Sequence, residues 1–143
     1  MESQKVSKRR ASQTVLIVDE DLGFLFWLGE LLVEAGCQAV PAFGCLEAVS
    51  RIRQFNVKKL DAIFVNPALP GTSDMLHALG RTHGGLRIIL IGSSGIDVSG
   101  MMPAHAMLEK PRSWQRISRQ EWQRKVKQAL NDAPPFVFKA TTS

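Results

Sequence analysis

Residues 61–71 read DAIFVNPALPG, and this stretch decides the fold. Ala62 to Val65 form an apolar run of strand length, and Asn66, Pro67, Pro70 and Gly71 stop it in quick succession. A residue before proline is pushed toward extended backbone, which puts Asn66 at the tip of the strand spanning 61–65. A run with no polar alternation is buried on both faces, the signature of a parallel sheet covered by helices. Working outward, the same pattern recurs. TVLIV at 14–18 is followed by Asp19, Glu20 and Asp21; RIILI at 87–91 is followed by Gly92, Ser93 and Ser94; a shorter AMLEK at 106–110 is followed by Pro111.

Between these runs lie segments of helical period. Leu22 to Ala35 reads as a first helix closed by Gly36, because a left-handed cap costs glycine least. CQAVPAF at 37–43 reads as a second strand, and Pro41, which lacks a ladder donor, assigns it to a sheet edge. A second helix is expected over Leu46 to Phe55, with Leu46, Val49, Ile52 and Arg53 at spacings of three and four. A third is expected over 73–82, halted by Gly84 and Gly85, and a last over Ser118 to Leu130 with Trp122, Val126, Ala129 and Leu130 on one face. Strands alternating with helices make repeated βαβ units, so the expected fold is α/β, a three-layer, five-stranded parallel sheet flanked by helices. It should occupy 14–131, with a basic tail at 1–13 and a C-terminal tail at 132–143; 143 residues at 45% hydrophobic suit one such core.

The formal net charge of +5 points toward nucleic acid or an acidic membrane until its distribution is read. Lys5, Lys8, Arg9 and Arg10 crowd the first tail, and Arg112, Arg116, Arg119, Arg124, Lys125, Lys127 and Lys139 crowd the last stretch, while 14–111 is mildly acidic. No helix-turn-helix or zinc-finger pattern is present, which ranks nucleic acid below a protein partner. No apolar run approaches the ~20 residues that cross a bilayer, and the N-terminus lacks a signal peptide's apolar segment. Cys37 and Cys45 are held apart by the extended stretch between them, so no disulfide is expected, in keeping with a reducing, cytoplasmic setting. His77, His83 and His105 lack ligand spacing and read as surface or half-buried residues.

In open α/β sheets the functional crevice lies beyond the carboxyl ends of the strands. That rule brings Asp19, Glu20 and Asp21, then Asn66, then Gly92, Ser93 and Ser94, and finally Lys110 to one rim. With VLIVDED, DAIFVNPALPG, RIILIGSSG and MLEKP in this order, the chain from about Thr14 to Leu130 resembles the receiver domain of two-component response regulators. The resemblance implies a strand order of 2-1-3-4-5, a magnesium-holding acidic pair at Asp19 and Glu20, a phosphoryl-contacting lysine at Lys110, and a cis peptide between Lys110 and Pro111.

The departures from that family are informative. Asn66 stands where the family carries the phosphate-accepting aspartate, and a neutral amide oxygen, its density delocalised, is no nucleophile for phosphorus. Gly92 stands at the hydroxyl position, with Ser93 one step on, and Met107 stands at the aromatic switch position. The interval from Gly92 to Lys110 is also a few residues short, and Gly95, Gly100 and Pro103 fall within it, so the helix between the fourth and fifth strands should be shortened or replaced by loop. The reading that follows is a degenerate receiver, not an enzyme, that needs no cofactor, binds Mg²⁺ weakly at most, and signals by contact with a sensor kinase, another regulator or an output protein. Homodimerisation is compatible with it.

Plainer roles compete for the same residues. Asp19, Glu20 and Asp21 could cap the first helix, Asn66 could relieve repulsion in an ion-free rim, and Lys110 could neutralise Asp19. Two other functions stay open: a phosphoreceiver that uses Mg²⁺ and a non-standard acceptor such as Asp21 or Ser93, and a nucleic-acid adaptor working through the basic tails. On the first helix, Phe24, Leu28, Leu31, Leu32 and Ala35 should face the sheet. Leu25, Phe26 and Trp27 then fall outside that stripe, either as a docking or self-association face or packed against the last helix or Phe136, Val137 and Phe138.

Overall fold

The computed structural model describes residues 12–93 and 106–136. In chain order the elements are β1 (Thr14–Val18), α1 (Leu22–Glu34), β2 (Gln38–Ala42), α2 (Cys45–Gln54), β3 (Ala62–Val65), α3 (Thr72–Thr82), β4 (Leu86–Gly92), β5 (Ala106–Glu109), a 3-10 turn (Trp114–Arg116), α4 (Arg119–Asp132) and β6 (Pro135–Phe136). The strands run in the order β2-β1-β3-β4-β5, all parallel, as expected. The shortened helix expected between β4 and β5 lies outside the described residues, as do His105 and most of both tails.

Alternation within each buried strand assigns its side chains to two layers. Leu16, Val18, Ile63, Val65, Ile88 and Leu90 meet α2 and α3, while Val15, Ile17, Ala62, Phe64, Ile89 and Ile91 meet α1 and α4. Gly36, at φ 92°, closes α1 in the left-handed geometry its position called for, with Cys37 N–H donating to the Leu32 carbonyl at 2.9 Å. β2 is an edge strand. The Gln38 N–H bonds to Gln13 and the Ala42 carbonyl accepts from Asp19, so residues 38, 40 and 42 bond inward. Pro41 therefore turns its missing donor outward and costs the ladder nothing. Cys37 and Cys45 are free thiols.

Three expectations are corrected. α2 starts at Cys45 and buries Cys45, Ala48 and Ile52, so Leu46, about 100° further round the helix, is 90% exposed. Leu25 and Trp27 are core residues, 1% and 8% exposed, and only Phe26 of that trio faces out, at 60%. The sheet-facing stripe was drawn too narrow, because α1 is also walled by α4 on one flank, where Trp27 meets Trp122 at 5.8 Å between ring centroids. Residues 135–136, placed in the tail, instead form β6, antiparallel to the start of β4 at Leu86 and Arg87, where β5 does not reach. The Arg87 guanidinium donates to the Ala133 carbonyl beside it.

Candidate functional site at the carboxyl rim of the sheet

The rim gathers Asp19 from the end of β1, Asn66 from the end of β3 and Lys110 from the end of β5. Asp19 is 2% exposed, and both of its carboxylate oxygens lie 3.1 Å from Lys110 Nζ. Its Oδ1 also accepts the Asp21 N–H at 2.9 Å. Lys110 is positioned by its own N–H, which donates to the Gly92 carbonyl at 2.9 Å and continues the β4–β5 pairing. Its ammonium lies 3.7 Å from Asp21 Oδ2 and 4.8 Å from the centroid of the Phe24 ring, a cation–π distance. Lys110 thus neutralises Asp19, the plainest of the roles open to it. The peptide between Lys110 and Pro111 is trans, against the family-based expectation, as none of the described bonds is cis; trans is the lower-energy isomer for a lysine-proline step.

Asn66 is half-buried. Its backbone N–H donates to the Val18 carbonyl at 3.0 Å, extending the β1–β3 ladder by one step, and its side-chain Oδ1 accepts the Ala68 N–H at 2.9 Å. The amide oxygen is spent on the turn after β3, the local hydrogen bond that asparagine makes readily. Asp21 is the N-cap of α1, where its Oδ1 accepts the Phe24 N–H at 3.2 Å. Glu20 is exposed. Ser93 is exposed in a polar cleft of about 370 Å³ shared with Asp21, Glu109, Lys110, Arg112 and Trp114, whereas Gly92 is buried and Met107 is 41% exposed.

A magnesium ion needs several oxygen ligands, and at least one carboxylate free to turn toward it. Asp19 has both oxygens on the Lys110 ammonium, Asn66 offers a neutral oxygen already bonded to Ala68, and no group of three His, Cys, Asp or Glu side chains among the described residues is placed to hold a metal. Asp19 and Asn66 thus present the ion no oxygen free of a hydrogen bond.

Sequence reasoning missed the aromatic wall behind the lysine. Trp27 stands between Trp114 and Trp122 at 5.7 and 5.8 Å, and Phe24 meets Trp122 edge-on at 6.4 Å, so all three tryptophans of the chain share one cluster with the ring under Lys110. Gly23 is the one signal of it: a Cβ there would lie 2.7 Å from Trp114 Cζ2, so the start of α1 is kept bare for that ring. A second missed residue is His83, 7% exposed at the far end of the sheet, whose Nδ1 accepts the buried Leu60 N–H at 2.9 Å. Burial pushes its pKa below the usual 6.5, against a smaller upward pull from Asp61.

No protein-family model matches the chain, and neither does any curated protein. Among solved structures, a response regulator receiver protein from Sinorhizobium medicae superposes with a TM-score of 0.64 over 85% of this chain and 96% of its own. The fold is that of a response-regulator receiver domain. A receiver protein from Burkholderia phymatum matches at 0.61 over 87% of this chain and 100% of its own, and a receiver domain from Clostridium thermocellum at 0.63 over 83% and 94%. Sequence identities to the three are 17%, 20% and 18%, so the likeness is one of architecture. On the receiver fold the rim described above is the carboxyl-end crevice, and Asp19, Asn66 and Lys110 are the residues this chain places there. No described helix is long and apolar enough to cross a membrane.

Proposed function

We propose that this chain is a phosphorylation-independent receiver module that signals by protein–protein contact and catalyses no reaction. The observation that carries the proposal is the state of the rim: the residue at the tip of β3 is a neutral amide whose oxygen is bonded to Ala68, and the nearby ammonium is held by both oxygens of Asp19. Phosphoryl transfer needs an anionic oxygen nucleophile and uncommitted positive charge to meet the developing negative charge. Asn66 and Lys110 supply neither. The pocket then serves as architecture, in which Lys110 ties β5 to β1 and to the Phe24 ring. A sensor kinase, another regulator or an output protein is the partner class that suits such a module, and Mg²⁺ is not required.

The test is incubation with acetyl phosphate and Mg²⁺, following mobility on a phosphate-affinity gel. Unchanged mobility is the expected result. A donor-dependent change that reverses as the phosphodonor is exhausted would overturn the proposal in favour of a receiver using Asp21 or Ser93, both of which border the cleft that Lys110 lines.

A further inference from the structure

The segments that lead into β3 and β4 meet at the amino end of the sheet, opposite the rim, and a cleft of about 360 Å³ opens there between the last turns of α2 and α3. Small-molecule sites span about 300–1,000 Å³ and combine an apolar lining with a few polar groups. Here the buried Ile52 and Leu79 and the half-buried Val49 and Val57 supply the apolar part. His83, 7% exposed, supplies a donor. Its Nδ1 accepts the Leu60 N–H, so the proton of the neutral ring sits on Nε2. That N–H has no acceptor among the described residues. Nor is it sealed in, because Arg51 Nε is the one fully buried side-chain nitrogen or oxygen there that lacks a partner. The ring therefore opens on the cleft it lines.

Charge selects what could meet that donor. Arg53 and Lys58 border the cleft and are in no ion pair among the described residues, whereas their neighbours Arg51 and Lys59 are held by Glu47 and Asp61. No carboxylate is among the described lining residues. Asp61, the acid whose charge reaches His83, is engaged by the Thr14 N–H at 2.8 Å and by Lys59 at 3.9 Å. The carbonyls of Arg51, Ile52, Arg53 and Leu79 at the two helix ends accept the N–H groups of Phe55, Val57, Asn56 and His83, so these acceptors are spent on the caps. Helix C-termini also present no free N–H of the kind that cradles phosphate at an N-terminus, which favours a singly charged head. We propose that this cleft binds a small organic carboxylate, with its head at His83 Nε2, Arg53 and Lys58 and its apolar body over Ile52 and Leu79.

The inference goes beyond the signalling role proposed above and does not depend on it. Its test is a titration of the full chain with phenylbutyrate, followed by amide proton and nitrogen shifts, beside the neutral phenylbutyramide and inorganic phosphate. For a ligand of this size a Kd on the order of 1 mM is expected. The shifts should saturate at Asn56, Lys58, Thr82 and His83 and leave Ser93 and Lys110 unmoved. The neutral amide should bind roughly tenfold more weakly, as should the acid to a natively melting His83→Phe, because each change removes a charge-assisted hydrogen bond. Lys58→Glu, in an exposed loop, should weaken binding about threefold or more. Shifts that never saturate or that centre elsewhere overturn the inference, as does equal binding of the amide or an affinity indifferent to Lys58→Glu. Phosphate binding more tightly than phenylbutyrate overturns it too, because the site would then read a bare anion. None of these outcomes bears on the phosphodonor experiment.

Discussion

Lys110→Met isolates what the rim's charge pair does. Asp19 is 2% exposed and the Lys110 side chain 18%, so removing the ammonium strands a carboxylate that water barely reaches. Breaking a buried pair in this way costs about 3–5 kcal/mol. The lower end of that range applies here, because Lys110 keeps some contact with solvent and the 3.7 Å contact to the half-exposed Asp21 adds little. Methionine fills the same volume over the Phe24 ring and retains a sulfur–aromatic contact, so packing is nearly conserved. The expected loss is therefore about 3 kcal/mol, a large part of the ~5–15 kcal/mol that holds a typical domain together. Adding Asp19→Asn should restore most of it, because the amide still accepts the Asp21 N–H and no charge is left unpaired. Urea unfolding read by tryptophan fluorescence measures the wild type, both single variants and the double. A Lys110→Met loss below about 1 kcal/mol, or a double variant whose loss is the sum of the singles, would refute the structural role given to the pair.

Three further outcomes follow from the same geometry. Because burial holds His83 neutral, its folded pKa lies below the unfolded 6.5, the unfolded chain binds the extra proton, and stability present above that pH should fall as pH drops below it. His83→Phe should flatten this pH dependence while costing about 1–3 kcal/mol for the stranded Leu60 N–H, as urea midpoints at pH 7.5 and 5.5 would reveal. Trp27→Ala should cost about 3–5 kcal/mol, as an indole at the centre of the aromatic cluster would, and a variant that melts like the wild type would return Trp27 to the surface. If the receiver resemblance holds at positions 92 and 107, Asn66→Asp should give no donor-dependent shift in tryptophan emission even where it accepts phosphate, since Gly92 and Met107 would still replace the hydroxyl and the aromatic switch; a full shift would show that one residue alone silences the module.

The parts of the fold legible in the sequence were those encoded by local pattern. Apolar runs mark all five parallel strands, Gly36 marks the end of α1, and Pro41 marks the sheet edge, because each reflects a constraint on a few adjacent residues. The convergence of Asp19 and Lys110 was also legible, since strand tips in an α/β sheet share one rim. What escaped depends on distant surroundings. Two residues of β6 carry no periodicity, so 135–136 fall within the stretch read as a tail. Leu46 lies outside the core because the buried stripe runs through Cys45, Ala48 and Ile52, whose small first two members carry a weaker apolar signal than leucine. For Trp27 the alternative of packing against the last helix holds, through Trp122, while the added wall of Trp114 has no periodicity in α1 to announce it. His83 was passed over as an ordinary histidine because its partner, Leu60, is a backbone N–H in the loop before β3.

Intact mass after saturating acetyl phosphate with Mg²⁺, read cold and within minutes so that a labile acyl phosphate survives, addresses the claim that no group at this rim takes up phosphorus. A spectrum showing only the unmodified chain is the outcome this account predicts. An added phosphoryl group, mapped to Asp21, Ser93 or any other residue beside Lys110, would contradict it.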